Sequence, residues 1–172
     1  MSLVKLKSII ALLKEFSQGE KEKIEIILIG GLALHYYGRD RMTIDVDGEV
    51  NTKTEELINF LRQKNIPADL GEDISKWSII SMPKGYRKRA MEVLKDRFLS
   101  VKVLSPVDFI VSKLRRFTEE DIADALFVAR KFKLKKEAIK RMAQQALKDS
   151  PKDSAIFLFK QNVRIFLGKL SA

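Results

Sequence analysis

The segment that most constrains this fold is Glu25–Ile29 followed at once by Gly30-Gly31. A short β-branched apolar run reads as a buried strand. Two glycines directly after it turn the chain where a Cβ would be in the way. Leu32–Tyr37 continues as a short helix that stops at Gly38, and Thr43–Val50 alternates as a second strand, with Gly48 inside it reading as a bulge. Strand, glycine turn, helix and strand in one short stretch commit the chain to a mixed α/β sheet.

The flanking sequence extends that pattern. Residues 3–16 form an amphipathic helix with Val4, Ile9, Ile10, Leu13 and Phe16 near one face, and Thr54–Lys64 forms another with Leu57, Ile58 and Leu61 inward. Ile66–Glu72, with its Pro and Gly, reads as a connection, and Trp77–Met82 as an apolar strand closed by Pro83. Arg89–Leu94 fits either a helix or the first arm of a hairpin turning at Lys95-Asp96, and Phe98–Leu104 alternates as a strand. After it come three N-terminal capping signatures: Ser105-Pro106 with Asp108, Thr118 with Asp121, and Ser150-Pro151 with Asp153. They predict helices over about 106–116, 119–132, 135–148 and 151–168. The expected fold class is α/β (α+β): a mixed-sheet core over 1–105 with helices on its faces, and a helical C-terminal part over 106–172 packed on it.

With 172 residues, 45% of them hydrophobic, the chain can bury the core of about one domain. No apolar run approaches the ~18 residues of a membrane span, and the start lacks a signal-peptide cleavage site. The absence of cysteine excludes disulfides and thiolate metal sites, so a cytoplasmic location is the default expectation. Lys and Arg number 33 against 23 Asp and Glu, a formal +10. That excess suits a polyanionic partner such as a nucleotide, RNA or DNA, and equally a solvated Lys/Glu-rich surface.

The chemistry concentrates between Gly30 and Asp47. Glycines opening a helix present free backbone N–H groups and a positive dipole end, a seat for phosphate. Asp45 and Asp47, two apart on a strand, share a face and repel unless a cation lies between them. Mg²⁺ is the usual oxygen-ligated choice at phosphoryl-transfer sites. Val46 points the other way and anchors the strand. Arg39 and Arg41 offer planar forks that suit phosphate, Arg41 being the better placed, although either could pair with Asp40 or Asp47 instead. Thr43 can cap the turn or bond a carboxylate. His35, the single histidine, fits a packing role better than a catalytic one.

Gly30-Gly31-x-Ala33, Gly38, Arg41, Thr43 and Asp45-x-Asp47 resemble the signature of the nucleotidyltransferase superfamily with the DNA polymerase β-like core. The variant they most resemble is the minimal bacterial and archaeal nucleotidyltransferase-like proteins, which include the nucleotidyltransferase toxins of abortive-infection toxin–antitoxin pairs. Ser105-Pro106-Val107-Asp108, Ser112-Lys113-Leu114, Arg116, Asp121 and Asp124 resemble that group's downstream block, a lysine-bearing helix followed by an acidic pair. The resemblance implies transfer of an NMP from an NTP to a hydroxyl acceptor, with RNA or tRNA favoured by the basic balance. It implies two Mg²⁺ ions on Asp45 and Asp47, the triphosphate on Gly30, Gly31 and Arg41, and Lys113 as catalytic counter-charge and nucleotide ligand.

The superfamily's third carboxylate has no counterpart in Trp77–Met82 or Phe98–Leu104, which contain no Asp or Glu. Glu92, if Arg89–Leu94 is a strand, and Glu49, on the face of Asp47, are the candidate further metal ligands. The alternative reading is a catalytically reduced nucleotide- or RNA-binding module on the same fold. The terminal helix, with Ile156, Phe157, Phe159, Val163, Phe166 and Leu167, either seals the core or forms a homodimer contact.

Overall fold

The computed structural model describes residues 3–171. Its elements in chain order are α1 (Leu6–Gly19), β1 (Ile24–Leu28), α2 (Gly30–Tyr37), β2 (Val46–Val50), α3 (Thr54–Gln63), β3 (Ala68–Gly71), a 3-10 turn (Ile74–Trp77), α4 (Tyr86–Arg89), β4 (Met91–Lys95), β5 (Leu99–Val103), α5 (Pro106–Arg116), α6 (Glu119–Lys131), α7 (Lys136–Lys148) and α8 (Ala155–Ser171). They divide into a sheet unit, Met1–Asp73 with Ala90–Leu104, and a helical unit, Ile74–Arg89 with Ser105–Ala172. The fold is mixed α/β, as its sequence pattern predicts.

The sheet unit holds five strands in the order β3-β2-β1-β5-β4. β1 runs antiparallel to β2 and parallel to β5. One face is apolar: Ile24, Ile26, Leu28, Val46, Val50, Leu99, Val101 and Val103 are all buried, and α1, α2 and α3 pack on the sheet. The register fixes the opposite face, because directly paired residues point the same way. Ile27 pairs with Glu49 on one side and Lys102 on the other, Lys102 pairs with Glu92, and Asp47 pairs with Asp69. One side of the sheet therefore makes the core, and the other carries charge.

Several sequence-based expectations change. Ile66–Glu72 is not a plain connection but contains β3, an edge strand parallel to β2, where a neighbouring Pro and a Gly are tolerated. Trp77–Met82 is not a strand. Its backbone N–H groups go to serine hydroxyls instead of a ladder: Met82 N donates to Ser75 Oγ at 2.8 Å and Ser81 N to Ser150 Oγ at 2.9 Å. Gly48 is not a bulge, since its register with β1 is unbroken. A Cβ there would lie 2.7 Å from the Ile27 carbonyl oxygen, so close strand approach requires the glycine. The irregularity in the sheet falls between Glu92 and Leu94 instead. The ambiguous stretch resolves into α4 and then the β4–β5 hairpin, closed by Asp96 Oδ1 accepting from Phe98 N and Leu99 N.

In the helical unit α5 contacts α6, α7 and α8 and buries Phe109, Ile110, Val111 and Leu114. Ser105 caps α5, and Thr118 with Asp121 forms a reciprocal capping box on α6. α8 begins later than Pro151, at Ala155. Asp153 accepts from the Ala155 N–H there, while Ser150 Oγ is taken up by the Ala146 carbonyl. Phe159, Val163 and Phe166 of α8 are buried, and Phe157 and Leu158 are exposed. Among the described residues no helix is long and apolar enough to cross a membrane.

Candidate active site

The glycine turn and the acidic pair meet in space. Gly30 has φ +60°, the left-handed region, and a Cβ on it would lie 2.6 Å from Asp47 Oδ2. The Asp47 carboxylate thus sits over the backbone that opens α2, and any side chain at residue 30 would be both strained and obstructed. The Ile29 N–H donates to the Asp47 carbonyl at 3.0 Å and holds the two segments together. Gly31 has the same relation to Thr43: a Cβ on it would lie 2.6 Å from Thr43 Cβ and 2.8 Å from its Oγ1. Thr43 Oγ1 in turn donates to Asp45 Oδ1 at 3.2 Å.

The loop between α2 and β2 is pinned along its length. Gly38, with φ 93°, ends α2, and its N–H donates to the His35 carbonyl. The Arg39 N–H donates to Leu34 O at 2.9 Å, and His35 Nε2 lies 2.5 Å from the Arg41 carbonyl oxygen. A carbonyl only accepts, so Nε2 carries the proton in that contact. His35 is therefore a support of the arginine loop. The Val4 N–H reaches the Thr43 carbonyl at 2.8 Å and ties the N-terminal segment to the same loop. β2 begins only at Val46, so Asp45 occupies the bend before the strand rather than the strand itself.

Asp45 and Asp47 are half-buried, as are Arg39 and Arg41. The amides at the start of α2 have no side-chain cap, which leaves its first N–H groups for a ligand. Carboxylate oxygens packed against the glycine backbone form a hard, oxygen-only donor set. Such donors are of the chemical kind that suits a divalent cation such as Mg²⁺. Among the described residues no three Asp, Glu, His or Cys side chains gather into a metal-holding group. The sheet explains why. Glu92 lies three strands from β2, about 14 Å across the sheet, and Glu49 is one further step along β2, about 7 Å on.

Two charged positions on the polar face are absent from the sequence-based set. Asp69 pairs directly with Asp47, and Lys102 pairs with Ile27, whose partner on β2 is Glu49. Asp69 is hidden in the sequence because its strand is four residues long, follows Pro67 and ends in Gly71. Lys102 is the single polar residue between Val101 and Val103, a signal that marks its face without marking a function.

Lys113 has other company. It is 8% exposed, and its Nζ lies 3.1 Å from Asp121 Oδ1 and 3.1 Å from Asp124 Oδ2 within the helical unit. Arg116 joins by two bonds to Asp121, at 2.7 and 2.8 Å. Burial alone would raise the Asp121 carboxyl. The bonds from Arg116 and Thr118 and the Lys113 ammonium outweigh it and hold that group well below the usual carboxylate range. Asp108, fully buried, is likewise matched by a two-bond fork from Arg89, 2.9 Å in each arm.

Residues 4–159 match the model of a protein family described as nucleotidyltransferase of unknown function (DUF6036). The chain belongs to this family. No curated protein matches it. In this nucleotidyltransferase family member the matched range takes in both the Gly30–Asp47 cluster and the ion network around Lys113.

Proposed function

We propose that this protein transfers a nucleoside monophosphate from an NTP to a hydroxyl acceptor, with Mg²⁺ held by Asp45 and Asp47. The observation that carries the reading is the Asp47 carboxylate lying against the Gly30 backbone, which sets an oxygen donor beside the amides that open α2. Mg²⁺ bound there supplies positive charge that offsets the triphosphate and the departing pyrophosphate. The amides opening α2 orient the phosphates, Arg41 donates its fork to them, and Thr43 holds Asp45 in position. Lys102, on the polar face of β5 and two strands from β2, supplies further positive charge. Lys113 is left out of this set, since two carboxylates already neutralise it. Catalysis of this kind is positioning and electrostatics rather than covalent chemistry.

Purified protein with Mg²⁺ and labelled NTPs should release pyrophosphate with at least one acceptor in a panel of RNAs, including tRNA, and aminoglycosides. Asp45→Ala and Asp47→Ala should each abolish that release. The absence of a gathered third acid favours a second reading, a nucleotide- or RNA-binding module without turnover. Nucleotide binding that persists in Asp47→Ala, with no pyrophosphate from any acceptor, would establish it in place of the first.

A further inference from the structure

The positive charge of this protein is not spread evenly. The helical unit carries 20 Lys and Arg against eight Asp and Glu, a formal +12, whereas the sheet unit carries 13 against 15, a formal −2. Much of the excess gathers where α6 turns into α7. Arg130, Lys131, Lys133, Lys135, Lys136, Lys140 and Arg141 fall within twelve residues that hold one acid, Glu137. Six of the seven are exposed and Lys136 is half-buried. Among the described residues none of the seven side chains forms an ion pair or hydrogen bond.

Helix electrostatics account for only part of this cluster. Arg130 and Lys131 lie in the last turn of α6, where cations suit the dipole. Lys135 and Lys136 stand at the N-terminus of α7, the end that disfavours them, and Lys135 provides no side-chain cap. Lys136 and Lys140 form a like-charge i, i+4 pair. Lys133 has φ 51°, a conformation that glycine or asparagine would adopt with less strain. Local stability is opposed at Lys133, Lys135 and Lys136, so the helices themselves do not account for these three. Phe132 sits in the midst of the cluster, 38% exposed.

We infer that the elbow between α6 and α7 binds the phosphate backbone of a single-stranded RNA segment, with Phe132 as a stacking surface for a base. The identity of that RNA as the acceptor rests on the reaction proposed above; the binding itself does not. The full-length protein should be titrated, without NTP, against a fluorescent RNA with a single-stranded 3′ end over a range of salt. Replacing Lys133, Lys135 and Lys136 together by Gln should weaken binding at least about tenfold and flatten the salt slope by roughly 2, the loss expected for three phosphate contacts to a single strand. Replacing exposed Lys5, Lys7 and Lys14 of the sheet unit by Gln should change binding less than about twofold, and Phe132→Ala should weaken single-stranded RNA more than duplex. Equal loss in both triple variants, or equal binding to duplex DNA or anionic vesicles, overturns the inference. Asp45→Ala should still bind the RNA. RNA binding that depends on the elbow, without any transfer, would sink the reaction and leave the elbow standing. Transfer to a small acceptor with RNA binding indifferent to the elbow would do the reverse.

Discussion

Two acidic pairs in this chain look alike in sequence and differ in what surrounds them. Asp121 and Asp124 are 1% and 2% exposed, and Lys113 and Arg116 meet them with positive charge from the neighbouring helix. Asp45 and Asp47 stay half-buried around a threonine hydroxyl and a bare glycine backbone. The first pair is closed electrostatically by its own chain and works as a strut. The second is packed against the glycine turn itself, with Asp47 Oδ2 where a Cβ at residue 30 would lie and Thr43 where one at residue 31 would lie.

The largest expected effect separates the pairs by activity. Asp45→Ala or Asp47→Ala should lower nucleotidyl transfer by about 10³-fold or more, the scale of removing a principal electrostatic group from an active site, while urea denaturation shifts by less than about 1 kcal/mol, as for most partly exposed substitutions. Unfolding of either variant at neutral pH would make this pair a strut as well and erase the contrast.

Lys113→Met should do the opposite. Removing one partner of a buried ion network leaves charge without compensation, at about 3–5 kcal/mol. The denaturation midpoint should fall sharply. If the variant instead keeps its stability and loses affinity for NTP, Lys113 returns to the nucleotide site that its spacing from the acidic pair suggests.

The acid limb of stability gives a finer test. Asp121 is held below its unfolded value of about 3.9. A carboxyl depressed in the folded state contributes stability that is fully present above the unfolded value, and that contribution is lost as pH falls toward the folded one. Urea melts of the native chain should therefore be flat in this respect between pH 7 and 5 and decline below about pH 4. Asp121→Asn should be less stable at pH 7 and decline less steeply, so that the curves converge in acid by roughly 2–3 kcal/mol, as for a comparable salt-bridged Asp. Parallel curves would remove Asp121 from the network.

Local signals carried most of the fold. The Gly30 turn, the Ser105 and Thr118 caps and the alternation of residues 99–103 each depend on neighbours within a few residues, and each is legible in the chain. β3 is hidden because an edge strand can follow Pro67 and end in Gly71. Trp77–Met82 misleads because its hydroxyl partners, Ser75 and Ser150, are not visible as a pattern. The meeting of Gly30 with Asp47 follows from two motifs that flank one loop. The commitment of Lys113 does not. Asp121 and Asp124 lie one helix further on, and spacing alone cannot distinguish a lysine that awaits a phosphate from one that already has two carboxylates.

The smallest effect probes how Asp45 and Asp47 are held. Thr43 is buried, fills the space that Gly31 leaves, and bonds Asp45 through Oγ1. Thr43→Val keeps the shape and removes the hydroxyl. The lost bond to a carboxylate is worth about 1.5 kcal/mol, close to tenfold in rate. That loss should appear in kcat at saturating Mg²⁺ if Thr43 orients Asp45 during the reaction. It should appear as a weaker apparent affinity for Mg²⁺, with kcat restored at high metal, if Thr43 only gathers the carboxylates before metal binds. Nucleotidyl transfer unchanged in both respects would show that Asp45 is held by the backbone of its bend alone, and that the glycine at 31 serves packing rather than the site.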